Sequence, residues 1–202
     1  MAAVTSSEEL RRLYAQPKER TLRKELDHLD EHCRRFIGVS PFCVLATTNP
    51  DGTADATPRG GDPGFVTVSD ERTLLIPDRP GNNRLDTLTN VIANPGVGLV
   101  FLVPGMDETL RVNGTAEIRD DDELRFRFTE GRPPATVLTI HVREAFLHCG
   151  KALMRSKLWN PTRHIERSEL PTLGEMIRDQ IGSTEAPESQ EQMVERYKAE
   201  LY

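Results

Sequence analysis

The chain has 202 residues, of which 37% are hydrophobic and 29% charged. That supplies one domain with one core, or one domain with helical extensions. The net charge is -6, and no basic stripe is visible, which speaks against a nucleic-acid partner. Any anion site therefore has to be a local arginine cluster within an acidic surface.

Cys33, Cys43 and Cys149 are three in number and show no paired spacing. This argues against a disulfide framework or a zinc knuckle. Reduced, mostly buried thiols in a cytoplasmic protein are expected. Residues 1–10 lack the charged-then-apolar pattern of an export signal. The longest apolar runs are too short to cross a bilayer, so no membrane partner is expected.

Residues 1–17 carry a short helical pattern around Leu10, Leu13 and Tyr14. Residues 18–37 carry a stronger one. There Leu22, Leu26, Leu29, Cys33, Phe36 and Ile37 fall on one face, and Gly38 suits a C-cap. This helix contains His28-Leu29-Asp30-Glu31-His32, which matches the H-x-x-E-H pattern of inverted zinc peptidases. On a helix the two histidines share a face. Such peptidases need a third ligand and a larger body, so two solvent-facing histidines are the preferred reading and no metal is expected.

Strand patterns follow. Residues 42–48 form the first, and Asn49-Pro50-Asp51-Gly52 supplies a hairpin signal back to residues 54–58. Residues 65–68 and 73–76 are short strands. Residues 85–93 read as a short helix closed by Asn94-Pro95. The apolar run at 97–103 is a central strand, broken at Pro104-Gly105. Residues 109–118 resume with alternation. Asn113-Gly114 sits inside them, and one bent strand with a glycine bulge is preferred to a hairpin. Residues 120–130 read as a charged helix and 137–149 as a strand. Helical patterns recur at 173–181 and 190–201, with a mobile linker between them. Six or more short strands, with helices gathered at the two ends of the chain, predict a small antiparallel barrel.

Two polar turns carry the candidate chemistry. One is Ile76-Pro77-Asp78-Arg79-Pro80-Gly81-Asn82-Asn83-Arg84; the other is Thr57-Pro58-Arg59-Gly60-Gly61-Asp62-Pro63-Gly64. Arginine offers a planar fork of donors that fits phosphate and never loses its charge. Amides and glycine N–H groups add neutral donors, and a helix N-terminus just after Arg84 adds its dipole. A plain β-turn whose amides cap that helix explains the same residues. Arg59, between Pro58 and Gly60, suits a sheet edge beside a planar ligand, or an exposed loop. Trp159 follows Lys151, Arg155 and Lys157; it is either a packing anchor or an aromatic wall lent to a ligand site. No G-x-S-x-G, Walker or Rossmann pattern is present. Adjacent His148 and Cys149 point to opposite strand faces, against a Cys–His couple.

Ser40-Pro41-Phe42, Pro58-Arg59-Gly60, Ile76-Pro77-Asp78-Arg79, Gly81-Asn82-Asn83-Arg84, Asn94-Pro95, Pro104-Gly105, Leu110-Arg111-Val112-Asn113-Gly114 and His148-Cys149-Gly150-Lys151 through Leu158-Trp159 occur in an informative order. Together they resemble the FMN-dependent branch of the pyridoxamine 5'-phosphate oxidase-like proteins, over residues 25–162. The resemblance implies an α+β fold on an antiparallel split β-barrel at 38–160, with a helical extension at 1–37 and a helical tail at 161–202. It implies a homodimer with FMN at the subunit interface and a small-molecule substrate. Arg59 and Gly60 would border the flavin; Ile76, Pro77 and Asp78 would meet its ring through backbone; Asn82, Asn83 and Arg84 would hold the phosphate. Lys151, Arg155 and Trp159 would close the site, from the other chain if the family pattern holds. Oxidoreductase chemistry is implied, with no evident general acid or base and Arg59 in an electrostatic role. Asn83-Arg84 stands where the true oxidase has Arg-Lys, and its C-terminal Arg-x-His element has no clear counterpart, which speaks against oxidation of pyridoxamine phosphate and leaves the substrate open. Alternatives are F420 or haem as ligand, or a flavin-binding stress-related protein without turnover.

Overall fold

The computed structural model describes residues 3–129 and 131–201. Seven strands form one antiparallel sheet: β1 (Phe42–Thr48), β2 (Ala54–Gly60), β3 (Thr67–Asp70), β4 (Thr73–Asp78), β5 (Gly96–Leu102), β6 (Thr109–Arg119) and β7 (Thr136–His148). Their order is β2-β1-β5-β6-β7-β4-β3. The first and last strands do not pair, so the sheet curls without closing and leaves a split. This is the split barrel that the resemblance implied.

One face of the curled sheet is packed. Cys43, Leu45, Leu99, Phe101, Leu110 and Val112 are buried there. Helix α3 (Glu31–Val39) supplies Cys33, Phe36 and Ile37 to the same core. Helix α4 (Asp86–Ala93) sits against β1 and β6 and buries Thr87, Asn90 and Val91. Within it Asn90 donates to Thr47 Oγ1 at 3.0 Å, so two buried polar side chains are paired.

The other face of β2, β1 and β5 carries small and apolar residues. Val44 stands opposite Pro58 and Val100, Ala46 opposite Ala56 and Gly98, and Phe42 opposite Gly60 and Leu102. Among the described residues no helix covers this row: Phe42, Ala46, Ala56 and Pro58 are exposed.

Residues 18–37 are not one helix. After α1 (Ser7–Leu13), helix α2 (Glu19–Arg23) ends early, and α3 starts only at Glu31. Between them Leu26 forms a bridge with Ala145, exchanging backbone bonds of 3.0 and 2.8 Å. Arg72 adds a bond to Asp27 Oδ2 at 2.8 Å. Tertiary pairing at Leu26 thus outweighs a helical pattern that ran on in sequence. His28 falls in the gap and His32 in α3, so they do not share a helix face. Among the described residues no His, Cys, Asp and Glu group is arranged to hold a metal. Gly38 lies inside α3 rather than capping it, and Ser40 takes the cap position.

The bulge forms as expected, with one difference. Strand β6 runs unbroken through Asn113-Gly114, but the register steps from Asn113–Glu144 to Gly114–Val142. The extra residue is therefore Arg143, on β7. Gly114 supplies the room: a Cβ there would meet His141 O at 2.1 Å. The charged stretch after β6 is a single helical turn, α5 (Asp122–Arg125); of the expected helix, Glu130 lies outside the described residues. No helix among the described residues is long and apolar enough to cross a membrane.

Candidate functional site

The split is where the two polar turns meet. Strand β3 pairs with β4 only between Thr73 and Leu75. Ile76, Pro77 and Asp78 therefore pair with β7 on one side and, among the described residues, present an edge with no strand on the other. Opposite stands β2, whose alternate residues Asp55, Thr57 and Arg59 share a face with Cys43, Leu45 and Thr47. Arg59 reaches across the gap to Asp78, Nη2 to Oδ1 at 3.6 Å, with side chains 27% and 20% exposed. Its guanidinium also donates to Thr57 Oγ1 and Pro58 O at 3.3 Å. Burial pushes the Asp78 carboxyl above its ordinary value, and the Arg59 charge draws it partly back.

Two clefts open on this pair. One, of about 490 Å³, is lined by Arg59, Asp78, Asn82, Asn83, Arg84 and Thr136 among others. The second, of about 560 Å³, shares Arg59, Asp78 and Asn82 and extends to Gly61, Phe65 and Phe128. Gly61 has to be glycine here, since a Cβ would meet the Phe65 Cβ at 2.8 Å. Such adjoining, polar-walled compartments have the size of small-ligand sites.

The turn before α4 is strained. Asn83 and Leu85 both take left-handed backbone, at φ 58° and 59°. Asparagine tolerates that region; leucine does so at a cost of about 1–3 kcal/mol. The Asn82 side chain accepts from the Arg84 N–H at 3.1 Å, as a turn amide does. Arg84 Nε donates to Asp86 Oδ2 at 2.8 Å, and its side chain is 74% exposed. So Arg84 already has a carboxylate partner.

Of the residues singled out in the sequence, Arg59, Gly60, Pro77, Asp78 and Asn82 line one or both clefts, and Asn83 and Arg84 line the smaller. Ile76 is buried on β4 just behind them. Lys151, Arg155 and Trp159 line neither. Helix α6 (Lys151–Ser156) follows β7, and Trp159 Nε1 donates to Met106 O at 2.7 Å, in the β5–β6 turn. Within one chain Trp159 is a packing anchor.

Sequence reasoning missed Thr136. Among the described residues its buried Oγ1 has no hydrogen-bond partner, yet the residue lines the smaller cleft. A buried hydroxyl without a partner costs about 1–3 kcal/mol, which a ligand polar group would offset. No local pattern marks it. Only the β4–β7 register, which sets Thr136 opposite Asp78, brings it to the site.

A curled, unclosed antiparallel sheet with a two-compartment split defines the class: a split barrel. The chain belongs to the pyridoxamine 5'-phosphate oxidase family, whose model matches residues 29–149. HupZ of Group A Streptococcus, in a singly substituted variant, is similar at 18% identity and TM-score 0.50, over 59% of this chain and 99% of that one. A candidate pyridoxamine 5'-phosphate oxidase from Lactobacillus delbrueckii is 26% identical, with TM-score 0.49, over 61% and 98%. An FAD-binding protein from Mycobacterium smegmatis is 15% identical, with TM-score 0.44, over 61% and 97%. These likenesses concern the fold alone. No curated protein matches the chain.

Proposed function

We propose that the chain binds FMN non-covalently in the split and works as a flavin-dependent oxidoreductase on a small-molecule substrate. The observation that carries this reading is the unpaired β4 edge facing Arg59, with the partnerless Thr136 hydroxyl beside it. A planar ring needs a wall with free backbone groups on one side and a fixed cation on another, and the split offers both. Asn82, Asn83 and Arg84 would take the phosphate, Arg84 by exchanging Asp86 for it. Gly60 leaves room beside the ring, and Ile76, Pro77 and Asp78 give the edge. When bound, the flavin supplies two-electron redox chemistry. The chain's own residues position it. Arg59 lends positive charge where reduction places negative charge, Asp78 moderates that charge, and Phe65 and Phe128 shield the neighbouring compartment from water.

The reading includes a homodimer. The exposed row of Phe42, Ala46, Ala56 and Pro58 with Val44 and Val100 is an apolar sheet face of the kind that monomers seldom leave open. A second barrel on it would bring a partner's Lys151, Arg155 and Trp159 into play as closing residues. On this reading residues 38–160 are the flavin-binding unit, with the flanking helical segments as extensions.

The test is the purified protein's visible spectrum, followed by anaerobic addition of NADH or NADPH. A flavin spectrum that bleaches on addition is expected. A Soret band or deazaflavin fluorescence would overturn FMN, and a bound flavin that neither nucleotide reduces would leave a binding protein in place of the enzyme.

A further inference from the structure

Residues beyond the family match form an arm. It runs from Asn160 through helices α7 (Leu173–Ile181) and α8 (Gln190–Glu200). Both helices are well specified locally: each has a capping box, through Thr172 with Glu175 and Ser189 with Gln192. Gly174 packs against the Glu188 backbone, where a Cβ would meet Glu188 O at 2.5 Å, so the segment at 182–189 folds back rather than swinging free. Yet neither helix has a buried residue. Ile165, Leu170, Ile181 and Leu201 are each more than half exposed. Among the described residues, the hydrogen bonds of residues 161–201 reach back no further than Asn160. Helices of 9 and 11 residues are marginal in water without packing. The arm therefore needs a surface that its own barrel does not provide.

The molecule carries a matching surface. At the ends of β6 and β7, Lys24 and Arg111 lie over the Phe146 ring, at 5.2 and 5.0 Å from its centroid. Lys24 Nζ also donates to Leu147 O at 2.7 Å, which ties it to the strand beside the ring. Burial, with the charges of Lys24 and Arg111, holds His148 below its ordinary value; Glu144, on the same face, is engaged by the Asn113 amide, which leaves the two cations facing outward. This patch adjoins the open sheet face, because Arg111 stands opposite Val100 and shares its side of the sheet. The arm is the complement: residues 161–202 hold nine acidic side chains against five lysines and arginines. It also leaves the barrel at Trp159, on the β5–β6 turn, the rim of the same sheet face. Charge, apolar content and point of departure all agree.

We propose that the arm of one copy docks on the Lys24–Arg111–Phe146 flank of a second copy, clasping the dimer. The proposal rests on the two-copy reading above. The dimer dissociation constant, measured by sedimentation, is compared for the full chain, for a chain ending at Asn160, and for Lys24→Glu with Arg111→Glu. The full chain is a dimer, and both changes raise its dissociation constant at least about tenfold. A full chain that stays monomeric overturns the two-copy reading itself. A dimer whose constant is unmoved by truncation overturns the clasp and leaves the dimer standing. A second measurement uses only the intact chain. Copies labelled with ¹⁴N and ¹⁵N are mixed, equilibrated and treated with a zero-length carbodiimide. Links between Lys24 and arm carboxylates in mixed-isotope pairs are expected; links confined to single-isotope pairs would overturn the clasp.

Discussion

Two arginine–aspartate pairs border the split, and they are built in opposite ways. Arg59 and Asp78 are far apart in sequence, sit on strands that do not pair, and are recessed. Arg84 and Asp86 are two residues apart, held by one strained turn, and largely exposed. The first pair exists only because the whole sheet curls; the second would form in a short peptide. A cation fixed by the fold keeps its position when a ligand arrives. A cation fixed by a local turn is free to change partners. On the proposed reading, Arg59 orients and charge-tunes the ring and Arg84 makes an exchangeable contact.

The largest expected effect is therefore at Arg59. Arg59→Ala should weaken FMN binding about 10- to 100-fold in a fluorescence titration, since it removes charge-assisted bonds in a recessed site worth about 1.5–3 kcal/mol. Equal losses at Arg59 and Arg84 would erase the distinction. Asp78→Asn works in the other direction. It removes a carboxylate facing the bound anion and should tighten FMN by about threefold to tenfold. It also has a pH signature. The folded chain holds the Asp78 proton more tightly than the unfolded chain does. The carboxyl's stabilising contribution is then present below its ordinary value and is lost as pH rises through its raised one. The melting temperature of Asp78→Asn relative to the parent should be highest near about pH 7 and should decline toward about pH 4. A pH-independent difference would contradict the burial effect.

Smaller changes belong to the turn. Arg84→Ala should cost no more than about fivefold in FMN affinity, because an exposed pair has to be broken before the phosphate is gained. Leu85→Gly should raise thermal stability by about 1 kcal/mol, by releasing left-handed backbone at a leucine. A destabilised Leu85→Gly would show the turn is held by contacts of the leucine side chain instead.

Much of this was legible in the sequence. The apolar run at 97–103 and the strand pattern at 42–48 sit on β5 and β1, whose residues alternate between the packed face and the open one. The helical patterns at 173–181 and 190–201 coincide with α7 and α8. The failures share one cause. The helix through residues 24–30 yields to the Leu26–Ala145 bridge, and the bulged residue lies on β7 rather than at Gly114. Both depend on a distant partner strand or on its register, which no local window contains. The site divides the same way. The Asn82–Arg84 turn was visible as composition, while Thr136 and the pairing of Arg59 with Asp78 come only from registers set by the folded sheet.

The most direct test sets FMN against riboflavin in calorimetric titrations of the flavin-free protein. The two ligands share the ring and differ in the phosphate. A site with Arg59 at the ring and Asn82 to Arg84 at the ester should bind one FMN per chain, at least about tenfold tighter than riboflavin. Equal affinities, or no heat with either ligand, would contradict it.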